Sequence, residues 1–456
     1  MKKTIKLLFL VLLFSLNNQA QHTTNSNTGK TPVPDSILTN FLGSWKGTGI
    51  HEGKQRIVEV EISRNALGKA EYFWTIRQTG IFRKPFAFSS WNAERKSLMM
   101  ENGFFELKYD KENSLQIQAT ISRHESVINC TLKKVSTEIL PYKLESISFN
   151  NGDVKLAGTL SIPKLTNKMP AVIFLHGSGD EDRWSWAPYF ADMLSRMGIV
   201  CLFFDKRGCG ESTGSWISSS LDDLSADANK AMEYLKTQDY VDKSNVGFWG
   251  FSQSGWVAPN CLTTNKEIAF MMINSGGANS PREIELFNYR NTMLHNGMNQ
   301  SQLDSAFSLL DFYFEYLDAK HSLDEMKGKI AIVKNSSWYK YINIGRVLPS
   351  EKNRMNWNWV ANYDPLSSIR TINFPLLLMF GGKDLETNTP VAVQKWKSSL
   401  SKEALNKTTI KVFENGNHGI RIGEHSPGAL LFWQEFAPGY VDFVRKWANR
   451  NILRKN

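Results

Sequence analysis

In VGFWGFSQSGWVAP, Val246 to Pro259, two hydroxyls compete for one role. A serine attacks a carbonyl efficiently when a base takes its proton and a tight strand-to-helix turn holds it clear of the backbone. That turn needs small residues two positions before and two after the serine. Centred on Ser252 those positions are Gly250 and Ser254; centred on Ser254 they are Ser252 and Trp256, whose indole does not fit. The frame therefore selects Ser252. VGFW supplies the incoming strand and Gln253 to Cys261 the outgoing helix, whose amino end directs N–H groups at a developing oxyanion. The Gln253 amide is one expected donor.

A base and an acid must complete such a site. His418, in FENGNHG, follows the apolar run TIKVF on a short loop that can swing toward Ser252, with His425 as the alternative. Asp384 closes LLLMFGGKD, where its carboxylate can accept from the far imidazole nitrogen, fix the tautomer and stabilise imidazolium. Glu386 is the alternative acid. A second oxyanion donor is expected from HGSG, the amide of Gly177 or of Ser178, glycine allowing close backbone approach. The chemistry is two-step acyl transfer, with no cofactor and no metal required.

The elements that must position these groups are of two kinds. Segments such as VEVEIS (Val58 to Ser63), EYFWTIR, FFELKYD and LQIQATI alternate apolar and polar residues. Roughly eight such segments lie between Trp45 and Lys133, joined by turns such as Glu101-Asn102-Gly103 and Lys111-Glu112-Asn113. They predict a small all-β domain over 37–136, an up-and-down barrel or a sandwich. Its opening GSWKG resembles lipocalin-like barrels; a filled interior with a shielding role is favoured over a ligand or carbohydrate pocket.

After TEILPYK (Thr137 to Lys143), SISFNNGDVKLAGTLSIP reads as two strands around Asn150-Asn151-Gly152-Asp153. Buried apolar runs then alternate with amphipathic helices: AVIFL, IVCLFF, VGFW, FMMIN, LLLMF and TIKVF. This predicts a doubly wound, mostly parallel α/β domain over 142–456. A helical, aromatic-rich insertion over about 280–373 forms a cap above the carboxyl ends of the strands.

Composition adds bounds. With 456 residues the chain is long enough for two cores. Lys2, Lys3 and Lys6 before LLFLVLLFSL give residues 1–20 the pattern of a signal peptide, with cleavage after Ala20, followed by a flexible segment over 21–36. The apolar run is too short to span a bilayer, and no later one is long enough, so the expectation is an exported protein, periplasmic or secreted. The net charge of +10 becomes 10 − 3 = +7 without those lysines, and the rest are interspersed with acids, which argues against nucleic acid as partner. Cys130, Cys201, Cys209 and Cys261 lack metal-type spacing and read as free thiols.

The order of motifs resembles the α/β-hydrolase superfamily, in particular its exported bacterial esterase-like and serine aminopeptidase-like members with a small N-terminal β-domain. HGSGDEDR (His176 to Arg183), FFDKRGCGESTG (Phe203 to Gly214), GFSQSG (Gly250 to Gly255) and FGGKD with ENGNHG carry the resemblance, which covers about Tyr142 to Trp447. It implies the chain order serine, acid, histidine, hence Ser252, Asp384, His418. His176, preceding Ser252, then supports the oxyanion loop, Asp205 braces its Gly-rich turn through an ion pair suggested by Arg207, and Asp180 to Arg183 form solvated loop structure. The implied activity is carboxylic-ester hydrolysis on a small-molecule substrate. A serine peptidase, aminopeptidase-like or X-prolyl peptidase-like, is the alternative, and a non-catalytic binding protein on the same fold a third reading.

Overall fold

The computed structural model describes residues 33–453 except 89, 101–103, 110–112, 124–125, 343, 345–347 and 424–432. The leader-like residues 1–20, most of 21–36, His425 and most of the two turns at 101–103 and 111–113 lie outside the described residues. The chain divides into two compact units, the first ending at Pro141 and the second beginning at Tyr142; Trp184–Asp192 groups with the first.

The first unit is one antiparallel sheet: β1 (Gly43–His51), β2 (Lys54–Arg64), β3 (Ala70–Ile76), β4 (Ile81–Phe86), β5 (Ser90–Asn92), β6 (Ser97–Met99), β7 (Phe105–Tyr109), β8 (Gln116–Arg123) and β9 (Ser126–Val135). Nine strands replace the roughly eight expected, because the segment after β4 holds two three-residue strands too short to show a period. Their order is β4-β3-β2-β1-β9-β8-β7-β6-β5. These strands form one sheet, with β1 paired to β9 and with β4 and β5 at the two ends of the order, not the two sheets of a sandwich. Alternation places Val58, Val60 and Ile62 of β2 inward. The sheet curls until side chains from its two halves meet: Phe86 of β4 stacks on Phe105 of β7 with centroids 5.1 Å apart, and Trp74 of β3 meets the same ring edge-on. The interior is thus filled with aromatic rings at these points.

The second unit is built on β10 (Tyr142–Asn151), β11 (Val154–Pro163), β12 (Met169–Leu175), β13 (Val200–Phe204), β14 (Val241–Phe251), β15 (Met271–Asn274), β16 (Leu376–Gly381) and β17 (Thr408–Phe413). The hairpin β10–β11 turns at Gly152 with φ 58° and pairs antiparallel to β13; from β13 to β17 every pairing is parallel. The order β10-β11-β13-β12-β14-β15-β16-β17 reverses between β12 and β14. Loops leaving those neighbours diverge and open a crevice at their carboxyl ends. Because helices cover both faces, the parallel strands are continuously apolar: all five residues of β13 are buried.

The insertion between β15 and β16 contains helices Pro281–His295, Gln300–Leu317 and Leu323–Val333, each opened by a capping box at Ser280, Asn299 and Ser322. Its apolar faces form a separate cluster around Leu303, Leu310, Phe314, Tyr316 and Trp338. Polar contacts attach it to loops at the carboxyl ends of the strands: Asn291 donates to the Leu385 carbonyl at 2.9 Å, and Asn356 to that of Ser218 at 2.7 Å. Among the described residues no helix is long and apolar enough to cross a membrane. All four cysteines are buried free thiols, with Cys130 and Cys209 pushed up to about 12 by burial.

Candidate active site

Ser252 follows β14 with φ 54°, left-handed backbone that a non-glycine residue adopts only where its surroundings force it. The forces are visible. A Cβ on Gly250 would lie 2.3 Å from that of Ser254, and one on Gly255 would lie 2.2 Å from the Gly277 nitrogen. The turn closes only with small residues at these places. Trp256 points elsewhere, donating its indole N–H to the Asn279 carbonyl at 2.8 Å and packing against Trp359. The backbone makes its tight turn at Ser252, with Gly250 and Ser254 at the small flanking positions. Ser254, fully buried, donates its hydroxyl to the His176 carbonyl at 2.5 Å, a bond no glycine could make.

His418 Nε2 lies 3.0 Å from Ser252 Oγ, and His418 Nδ1 donates to Asp384 Oδ2 at 2.8 Å. A carboxylate accepts here, so Nδ1 carries a proton, and once the imidazole is neutral Nε2 faces the serine as an acceptor. Asp384 is fixed in turn: its Oδ1 accepts the Glu386 and Thr387 amides at 2.8 and 2.9 Å. The His418 loop carries its own hydrogen bonds. Asn417 Oδ1 accepts the amides of Gly419 and Arg421, and the imidazole packs on Phe251 with centroids 5.2 Å apart.

Glu386 does not replace Asp384. Its carboxylate lies 3.5 Å from His418 Nε2, on the side facing Ser252. Burial by itself lowers the His418 pKa, but Asp384 and Glu386 outweigh it and lift it to about 9. Glu285 of the cap, which no motif marks, is coupled to Glu386; burial above all, and that neighbouring charge, raise its carboxyl to about 7 against a hydrogen bond from Tyr289.

His176 is a neutral support. Its Nε2 donates to the Phe204 carbonyl at 2.5 Å, and burial, then the charge of Lys206, hold its pKa down at about 3. The polar run after it is not the solvated loop expected from its composition. Glu181 and Arg183 are buried: Glu181 accepts the Gly177 amide at 2.8 Å, and Arg183 pairs with Asp205 through its backbone N–H at 2.8 Å and its guanidinium at 3.0 Å. Asp205 is an ion-paired brace, but its partner is Arg183; Arg207 instead forms a two-pronged pair with Asp227 at 2.6 and 2.7 Å. Of the two expected oxyanion donors in HGSG, the Gly177 amide is already engaged, whereas those of Ser178 and Gln253 have no acceptor among the described residues. Among those residues no cluster suited to a metal is found.

Known proteins resemble this chain over the same region. The family described as X-Pro dipeptidyl-peptidase (S15 family) matches residues 151–324. Esterase EstD of Thermotoga maritima is 25% identical over 349 residues, covering 74% of this chain and 76% of that protein. Two solved structures are similar at lower identity. The Pyrococcus furiosus esterase Pf2001 is 18% identical with TM-score 0.45, over 69% of this chain and 93% of its own. The α/β hydrolase GrgF of a Penicillium species is 15% identical with TM-score 0.44, over 68% and 99%. The chain is thus similar both to an esterase and, over residues 151–324, to a peptidase family.

Proposed function

We propose that this protein is an exported serine hydrolase that cleaves carboxylic esters through an acyl-enzyme on Ser252. The observation that carries the reading is the chain of contacts Ser252 to His418 to Asp384, at 3.0 and 2.8 Å, on a nucleophile held at φ 54°. His418 Nε2 takes the proton as Ser252 Oγ attacks the carbonyl carbon, and the negative oxygen turns to the Ser178 and Gln253 amides. Collapse expels the alcohol, which receives its proton from His418. Water then gives a proton to the same nitrogen, attacks the acyl-serine, and the acid departs as Ser252 is reprotonated. Asp384 accepts from Nδ1 throughout and steadies the imidazolium.

The cap's buried aromatic content favours a partly apolar acyl or alcohol group. The signal-peptide pattern of residues 1–20 supports action outside the cytoplasm. A peptidase reading is favoured by the family match over residues 151–324 and by the carboxylates of Glu386 and Glu285, which suit a substrate amine. Parallel assays on aryl esters of graded acyl length and on aminoacyl and peptidyl arylamides separate the two. Esters turned over far faster than arylamides support the esterase; comparable arylamide turnover moves the assignment to the peptidase.

A further inference from the structure

Lys206 lies in FFDKRGCGESTG between Asp205 and Arg207, and its side chain runs inward and is buried. Its ammonium donates to the Gly177 carbonyl at 2.7 Å, the Gly179 carbonyl at 3.0 Å and the Gln253 side-chain oxygen at 2.9 Å. Three acceptors match the three protons of an ammonium; burial lowers its pKa, and the nearby charge of Glu181 opposes that loss. The indole of Trp216 lies 5.7 Å away, beneath its charge.

These acceptors are not arbitrary. The Gly177 carbonyl and the Ser178 N–H belong to one peptide unit, and in a planar trans peptide the two point in opposite directions. A cation anchoring the carbonyl therefore aims the N–H the other way. The neighbouring peptide is fixed as well, its His176 carbonyl held by Ser254 and its Gly177 N–H by Glu181. With those groups occupied, Ser178 N–H is the one left over of the two donors expected from this loop. The third contact reaches Gln253, whose amide is the other free donor.

We propose that Lys206 is the positioning residue of the oxyanion site. It orients the Gly177–Ser178 peptide and the Gln253 segment so that both amides face the oxygen of the carbonyl attacked by Ser252, and it polarises the peptide with a buried positive charge. The inference rests on the acyl-transfer reading above. A hydrogen bond to a peptide carbonyl strengthens donation by that peptide's N–H, and a fixed cation in a water-poor site favours the oxyanion over the neutral carbonyl. The benefit is therefore felt in the transition state and hardly in ground-state binding.

The test compares wild type, Lys206→Met, Gln253→Met and Ser252→Ala with an aryl ester and with an alkyl trifluoromethyl ketone, which adds to a serine and leaves an oxyanion. For a folded Lys206→Met, judged by its thermal transition, kcat falls roughly 100-fold, the order expected for loss of an oxyanion donor, while KM stays within about threefold. Ketone affinity falls by the same factor as kcat/KM. Unchanged kcat and ketone affinity overturn the proposal, as does a loss confined to KM. If Lys206→Met does not fold, Gln253→Met, which keeps its backbone amide, decides: a fall of about tenfold in both kcat and ketone affinity supports the role, and unchanged values sink it. Activity retained by Ser252→Ala refutes the acyl-enzyme reading itself; activity lost there but kept in a folded Lys206→Met refutes only the role of Lys206.

Discussion

At the scale of single residues, the two serines of GFSQSG divide the labour. Ser252→Ala is expected to lower turnover by roughly 10⁴ to 10⁶ with folding retained, since it removes the nucleophile from a set that acts as a unit. Ser254→Ala leaves the buried His176 carbonyl without its donor, which costs about 1–3 kcal/mol of stability by denaturant unfolding but less than about tenfold in kcat. The base gives a pH signature. In the proposed mechanism neutral His418 is the active form, and with its pKa near 9, kcat/KM is expected to climb with pH and level off only above that value. Glu386→Gln removes one of the carboxylates that raise this pKa, so the rise moves to lower pH; an unmoved profile would show that Glu386 does not act on the base. Stability follows the opposite sense. The folded pKa lies above the usual 6.5, so the protonated imidazole contributes fully below pH 6.5 and its contribution is lost as pH rises through about 9.

At the scale of elements, the site is made by strand ends and by backbone approaching backbone. The elbow packs against the loop after β15 so closely that Gly255→Ala places a methyl group 2.2 Å from the Gly277 nitrogen. A loss of about 1–3 kcal/mol or more is expected in chemical denaturation, with kcat reduced as Ser252 shifts. The parallel strands were legible because burial on both faces leaves uninterrupted apolar runs, and Ser252 was legible because a steric rule fixes its neighbours. Other features leave no periodic trace. Strands of three residues such as Ser90–Asn92 are shorter than any period can show. Glu181 and Arg183 look like surface charges in sequence, since their burial depends on partners that no spacing rule marks: the Gly177 amide, four residues before Glu181, and Asp205, 22 residues after Arg183. Lys206 and Glu285 were missed for the same reason: neither belongs to a spacing rule, and each is defined by what surrounds it.

At the scale of the whole molecule, the account predicts one reactive serine in a chain whose cysteines are buried and whose base is already aligned. The most direct test of that claim treats the intact protein with a fluorophosphonate near pH 8.5, then digests it and locates the adduct by mass spectrometry, with Ser252→Ala alongside. A single adduct on Ser252, absent from the variant and accompanied by loss of ester hydrolysis, is the expected result. An adduct on Ser254, or none on a protein that still hydrolyses esters, would contradict it.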